Sequence, residues 1–268
     1  FLKNFENEKR DESFWLGRIE HWWDKNPAYN DSLKRGWCLT NEQNEIVGFI
    51  GSIPSYFQLN YHSQIVYNAT TWRVKSKHRK QSLLLFSELI KQSKETILFD
   101  TTPSIEVIKI LEAFRFSIFP NKQTKTYLYV CDFQNLFKEI FGESRGSLFL
   151  LKPFFWILSH IQSFFFKTPE ISKNIIQISS AGREFDGLWE KTKGIYKNTN
   201  LRSSDAINWQ CFSQHSSKKI IFGKYENGDL YSYAIYNEVK TKYTKMLVLN
   251  DIWGDNLDSK VLMEFYSS

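Results

Sequence analysis

The sequence predicts an α/β protein whose sheets are mixed and largely antiparallel, flanked by helices. Two observations carry this. Strand-like runs joined by short polar turns give way, between residues 74 and 81, to apolar residues at helical spacing. The same order of elements then recurs in the second half, so a tandem duplication is expected.

From the start, Asp11 to Tyr29 reads as a helix. Phe14, Trp15, Ile19, Trp22 and Trp23 recur at spacings of three and four until Asn26-Pro27 stops the run. Gly36 to Thr40 and Ile46 to Gln58 flank the polar turn Asn41 to Glu45, a hairpin, and Gly48 and Gly51 mark a bulge or a close backbone approach. A third strand, Ile65 to Val74, is expected to carry Asn68, Thr70, Trp72 and Val74 on one face. A basic connection, Lys75 to Lys80, leads into a helix over Gln81 to Ser93 with Leu83, Leu84, Phe86, Leu89 and Ile90 apolar. Thr96 to Asp100 reads as a buried strand. Thr102 then caps a helix that has Pro103 at its first position. Phe116 to Phe119 and Thr124 to Val130 are further strand candidates.

The composition breaks at Ser147 to Phe166, a Phe-rich stretch interrupted by Lys152-Pro153, His160 and Gln162. A buried interdomain connector is the leading reading. An interfacial segment with peripheral membrane contact through 148–166 and a membrane-spanning helix are the alternatives. Beyond it, Phe185 to Trp189 and Ser203 to Phe212 read as helical. Lys219 to Tyr225 and Leu230 to Tyr236 form a hairpin around Asn227-Gly228, whose positive φ angles suit the tight turn. Tyr243 to Ile252 is a strand and Leu257 to Tyr266 a helix. The expected organisation is a first domain over 1–140, a connector over 141–180 and a second, truncated domain over 181–268.

Composition narrows the function classes. The chain has 268 residues, 17% aromatic and 24% charged, an ordinary globular balance that excludes disorder. A net charge of +6 favours anionic partners without choosing among them; nucleic acid is not expected. Three separated cysteines exclude a disulfide framework and favour a reducing, cytoplasmic setting. No histidine has metal-ligand spacing, and serine-hydrolase and Walker patterns are absent. The chain opens on Phe1 and closes inside a helical pattern, which suggests a trimmed chain. The informative stretch is Asn68 to Leu85. There a strand runs through Lys75, Lys77, His78, Arg79 and Lys80 into a helix, an arrangement suited to a pyrophosphate or a ribose phosphate. The plainer reading is a solvated basic turn.

These residues and their order resemble the GNAT superfamily of N-acetyltransferases, in the bacterial form with two domains in tandem. The resemblance rests on Trp22-Trp23…Asn26-Pro27, Ile46 to Gly51, and Thr71-Trp72-Arg73-Val74 leading to His78-Arg79. Phe99 to Pro103 and Phe114-Arg115-Phe116 extend it. In the second half Leu201-Arg202, Asn208-Trp209 and Asp251 to Asp255 are similar in the same way. The resemblance implies acyl transfer from acetyl-CoA to a small amine or amino sugar, with Trp72, Arg73, Val74, Arg79, Lys80, Gln81, Ser82, Leu83 and Leu84 against the CoA thioester.

Arg79 matches the first position of the family's phosphate-loop pattern, whereas Ser82 and Leu84 stand where small residues belong. Small residues let the backbone approach a pyrophosphate, so binding there requires the Leu84 side chain to point to the core. For the chemistry, Tyr67 and Asn68 lie on the strand the family uses, and Asp100 and Thr102 at the mouth of the next. The plainer reading of Tyr67 is a half-buried strand aromatic. The second half lacks the basic turn: Gly254-Asp255-Asn256-Leu257-Asp258 would repel a pyrophosphate. Two alternatives stand beside the enzyme, a catalytically silent binding or scaffolding module and a Fem-type aminoacyl transferase.

Overall fold

The computed structural model describes residues 1–118, 130, 132–142, 145–165, 174–214, 218–257, 261 and 265. In chain order these form α1 (Glu12–Ile19) with a π-turn (Glu20–Asp24), β1 (Gly36–Thr40), β2 (Ile46–Leu59) and β3 (His62–Val74). A 3-10 turn (Ser76–Gln81), α2 (Ser82–Gln92), β4 (Leu98–Phe99), α3 (Ile105–Ala113), α4 (Phe133–Phe141) and α5 (Arg145–Phe165) follow. Then come β5 (Ile175–Ile178), α6 (Arg183–Thr192), β6 (Thr199–Asn200) and α7 (Ser204–Ile207) with a second π-turn (Asn208–Phe212). Three strands complete the order, β7 (Lys219–Glu226), β8 (Asp229–Lys240) and β9 (Lys245–Gly254). The chain forms two compact units, Phe1–Pro120 with Lys193–Ser216, and Asn121–Thr192 with Ser217–Ser268. The fold class is the mixed α/β one expected.

The first unit is organised on β2. This strand pairs antiparallel with β1 on one edge and with β3 on the other, and its far end also takes β6. β3 in turn pairs parallel with β4, which makes the sheet mixed. On one face α2 sinks Leu85, Phe86 and Leu89 against Ile50, Val74 and Leu111. The Trp72 indole stacks on the Phe86 ring with centroids 4.9 Å apart. On β2, the Trp23 Nε1–H donates to the Ser52 carbonyl (2.8 Å), and Asn26 Nδ2 donates to the Pro54 carbonyl (2.8 Å). Asn26 thus ends the π-turn and ties it to the sheet.

Residues 193–216 close the unit. Gln58 Nε2 donates to the Lys193 and Tyr196 carbonyls (2.8 and 2.6 Å), and the Trp209 indole donates to the His21 carbonyl (2.6 Å) while stacking on its ring.

In the second unit an antiparallel sheet runs in the order β5-β7-β8-β9. Asn227 and Gly228 take φ of 51° and 91° at the β7–β8 turn, as the Asn-Gly pair demands. Phe185, Leu188 and Trp189 of α6 are buried. The Trp253 indole donates to Thr192 Oγ1 at 2.7 Å, so that hydroxyl is satisfied in the core.

Several expectations are corrected. Ser104, not Thr102, caps α3: its hydroxyl accepts from the Val107 N–H at 3.4 Å. Thr102 precedes a proline, which disfavours helical geometry there, and it turns back on Asp100 instead. Phe116 to Ile118 form no strand, and the rest of that candidate, with 124–129, lies outside the described residues. Of the helix expected over 257–266, Val261 and Phe265 are helical and Leu257 is not; the others lie outside the described residues. Contrary to the buried reading of the Phe-rich stretch, none of its described side chains is buried. The stretch forms α5, with Phe154, Trp156, Ile157, Ile161 and Phe164 between 47% and 78% exposed. Among the described residues no helix is long and apolar enough to cross a membrane.

Two measurements test this packing. Phe86→Ala removes the ring on which Trp72, Phe114 and Phe116 all rest, and is expected to cost about 3–5 kcal/mol by denaturant unfolding. Glu238 on β8 meets Lys218 (2.6 Å), Lys245 (3.0 Å) and Lys240 (3.6 Å), and these cations hold its carboxyl down at about 2. A depressed folded pKa stabilises above the unfolded value and loses that contribution as pH falls through the folded one. Glu238→Gln is therefore expected to lower Tm at pH 7, with the gap closing as pH falls from 4.5 to about 2.

Candidate functional site

β3 carries one residue more than the strand it pairs with. Gly51 faces Thr70 and Phe49 faces Arg73, so three steps on β3 match two on β2. The surplus is absorbed at Thr71, whose φ is +51°. A bulge re-phases everything after it. Ala69, Trp72 and Val74 all pack on the α2 cluster, so the predicted single face of Asn68, Thr70, Trp72 and Val74 is divided by the bulge. Gly51 is required opposite: a Cβ there would lie 2.6 Å from Thr70 Cγ2.

β4 accompanies β3 only at Tyr67↔Leu98 and Asn68↔Phe99. From Ala69 to Val74 that edge of β3 has no strand partner among the described residues. The two parallel strands thus part at Asn68, and β4 delivers Asp100 to the parting point. Asn68 Nδ2 donates to Ser55 Oγ (2.9 Å) and to the Ile53 carbonyl (3.2 Å), which fixes its side chain across β2. Tyr67 is 8% exposed, a sheet-interior aromatic. Asp100 is half-buried, and desolvation pushes its carboxyl above the ordinary range, opposed by the Thr102 N–H. The backbones of Tyr67, Asn68 and Asp100 are therefore neighbours in the sheet, with the side chains of Tyr67 and Asn68 on opposite faces of β3.

The basic turn follows the strand's end. Lys77, Arg79, Lys80 and Gln81 are exposed and Ser82 is half-buried. Leu84 does not meet the requirement stated for it. Entry through a 3-10 turn sets the phase of α2 so that Leu85 and Phe86 face inward, leaving Leu84 60% exposed. Trp72 and Val74 face the core, so toward a ligand they offer backbone rather than side chain.

Two acidic residues escaped the sequence reading. Glu6 accepts from the Ser76 N–H (3.3 Å) and Ser76 Oγ (2.7 Å). These bonds, with the charges of Arg79 and Lys75, hold its carboxyl below the ordinary range. Glu8, its side chain only 5% exposed, receives Arg73 Nη1 at 2.6 Å, and that hydrogen bond likewise lowers its pKa. The Arg73 guanidinium also lies 5.3 Å over Phe5 and 5.2 Å over Trp15. A cavity of about 560 Å³ opens here between Phe5, Glu6, Glu8, Arg10 and Arg73. The only available signal was two carboxylates two apart upstream of a basic turn, a spacing that a solvated charge run shares. A more apolar groove of about 360 Å³ lies elsewhere, lined by Trp15, Leu16, Ile19, Trp23, Cys38 and Phe49 among others. Among the described residues no group of His, Cys, Asp and Glu could hold a metal ion.

No family model matches the chain, and no curated protein matches it by sequence. Among solved structures it is similar to Saccharomyces cerevisiae N-myristoyltransferase with bound myristoyl-CoA. The TM-score is 0.47 at 10% identity, over 98% of this chain and 62% of that one. A second structure of that enzyme with myristoyl-CoA gives 0.45 at 10% identity, over 94% and 60% of the two chains. A third, with myristoyl-CoA and inhibitors, gives 0.45 at 12%, over 92% and 58%. The chain spans less than two thirds of the length of these structures.

The state of Asp100 can be checked without a ligand. A folded pKa raised above the unfolded value gives a contribution that is fully present at low pH and lost as pH rises through the folded pKa. Asp100→Asn is thus expected to raise Tm at pH 7, the difference fading as pH falls toward 3.8, the carboxyl's unperturbed value, and absent below it.

Proposed function

We propose that the first unit is an acyl-CoA-dependent N-acyltransferase. The observation that carries this is the parting of β3 from β4 at Asn68. Among the described residues it leaves the strand edge from Ala69 to Val74 without a strand partner, and that edge runs into a cationic turn. Unpaired backbone groups at a sheet edge suit the amides of an extended chain. Six residues of strand span roughly 20 Å, the length scale of a pantetheine arm. A thioester would then lie near Asn68 and Asp100, and the phosphates near Arg79 and Lys80.

Acyl transfer to an amine needs a base for the amine's proton and a proton for the departing thiolate. A carboxylate with a raised pKa is the better base, which suits Asp100 to the first role. Tyr67, one position before Asn68 on β3, is the group proposed for the second, and its burial holds it in the sheet there. Acetyl is the proposed acyl group and a small amine or amino sugar the acceptor. The tandem reading belongs to the same proposal. The β7–β8–β9 order echoes β1–β2–β3, with residues 193–216 exchanged onto the first unit. The turn after β9 offers Asp255, already paired with Lys191 at 2.6 Å, instead of a cluster of cations, which leaves the cofactor to the first unit.

Two observations favour a second reading, a silent binding module. Leu84 stands exposed where a small residue would let phosphate approach, and the Glu6 carboxylate already occupies the Ser76 donors. Calorimetric titration of acetyl-CoA and free CoA separates the two. The enzyme reading expects micromolar binding, weakened about tenfold by Arg79→Ala and strengthened by Glu6→Gln, which removes a competing charge. Absence of heat with folded wild type, Glu6→Gln and Leu84→Ala alike would establish the silent module. RNA affinity that falls steeply with salt would instead mark the aminoacyl transferase.

A further inference from the structure

We infer that residues 5–10 form an autoinhibitory strap, in which the Glu6 carboxylate plugs the anion site of the basic turn until a phosphate displaces it. This rests on the proposed seating of the CoA phosphates at that turn and adds the regulation of the same site. The strap is built on a tight turn. The Glu8 N–H donates to the Phe5 carbonyl (3.0 Å), and Asn7 between them takes φ of 62°, a conformation that asparagine tolerates better than most residues.

The turn sets its two carboxylates to different tasks. Glu8 is the anchor: one oxygen accepts from the Lys9 and Arg10 N–H groups (2.9 Å each), the other from Arg73 Nη1 (2.6 Å), and its side chain is 5% exposed. Glu6 is exposed, and among the described residues its hydrogen bonds go to Ser76 alone. One of its oxygens takes the Ser76 N–H (3.3 Å) and the other the Ser76 hydroxyl (2.7 Å), at the start of the 3-10 turn that carries Arg79 and Lys80. A carboxylate that only neutralised these cations would suffice anywhere beside them. Glu6 instead takes the N–H and O–H donors that a phosphate needs, so plug and ligand exclude each other.

The attachment is light enough to release. Among the described residues no backbone hydrogen bond joins residues 5–10 to the sheet; Phe5 bonds to Leu2 and Glu8 to Phe5. What holds the strap is side chains, the Glu8–Arg73 pair and the Phe5 ring 5.3 Å from the Arg73 guanidinium. The cavity of about 560 Å³ among Phe5, Glu6, Glu8, Arg10 and Arg73 means that the Glu6 side chain leaves Ser76 without disturbing a packed core. An exposed carboxylate on two hydrogen bonds is a weak plug, and a weak plug suffices. If about one molecule in ten is unplugged at any moment, the apparent affinity for an anion falls tenfold.

The test is calorimetric titration of inorganic pyrophosphate, and separately of CoA, into the full chain, with Glu6→Gln and Glu6→Asp beside wild type. Glu6 is exposed, so an unchanged thermal transition is expected and confirms folding. Both variants are expected to bind pyrophosphate about tenfold more tightly than wild type. Glu6→Asp keeps the charge but is one methylene shorter, so its gain reports a vacated pair of donors and not relieved repulsion. Pyrophosphate added to wild type is expected to speed amide hydrogen exchange over residues 5–10. Glu6→Asp that binds like wild type, exchange over 5–10 that pyrophosphate leaves unchanged, or Glu6→Gln that fails to bind pyrophosphate overturns the inference. The CoA arm separates it from the proposed function. A gain for pyrophosphate without CoA binding keeps the strap and removes the acyl-CoA reading, whereas equal CoA binding by wild type and both variants keeps that reading and overturns the strap.

Discussion

One surplus residue in β3 governs much of the first unit. Thr71 takes a left-handed conformation, and the strand's alternation is reset there. Before it, Tyr67 and Asn68 pair with β4; after it, Trp72 and Val74 join Ala69 in the α2 core, and among the described residues no strand follows on the outer edge. Without the bulge, either the indole that stacks on Phe86 or the side chains of the parting point would be on the wrong face. The core and the candidate site are thus set by the same local departure from regular geometry, and the α-carbon of Gly51 opposite supplies the room.

Much of this was legible from periodicity and turn chemistry. The β1–β2 and β7–β8 hairpins, β3, α2 and α6 follow from alternating or helical spacing and from the Asn227-Gly228 pair, signals that act over a few residues. What failed depended on phase or on distant partners. The face carried by Asn68 to Val74 could not be read because alternation assumes no inserted residue. Leu84 was judged by helical spacing alone, yet the 3-10 turn before α2 shifts its phase and turns it outward. The candidate site was visible as a basic turn after a strand. Its occupancy by Glu6 and Glu8 was invisible, since nothing in the sequence links residues about seventy apart.

Those two glutamates change how the basic turn is understood. A cluster of cations at a strand end carries unfavourable self-repulsion that something must offset. Glu6 and Glu8 do so from the N-terminal segment, while Phe5 and Trp15 cover the guanidinium of Arg73. Any anionic ligand therefore competes with a carboxylate already in place, and affinity depends on how readily residues before α1 release the turn. In its bonds to one backbone N–H and one hydroxyl, Glu6 does the work of a phosphate oxygen.

The return of residues 193–216 to the first unit has a consequence for how this protein is made. The backbone leaves that unit near residue 120 and re-enters it near 193, so His21 and Gln58 wait for partners more than a hundred residues downstream. During synthesis the first sheet emerges with one end of β2 unpaired and the His21 face uncovered. Closing so long an intervening loop is entropically slow, and the two units complete each other's order of assembly instead of folding as beads on a string. A cut placed between the halves by sequence alone would orphan the first unit's last strand and Trp209, whose indole donates to the His21 carbonyl, and an aggregation-prone nascent state would follow from topology, not from weak packing.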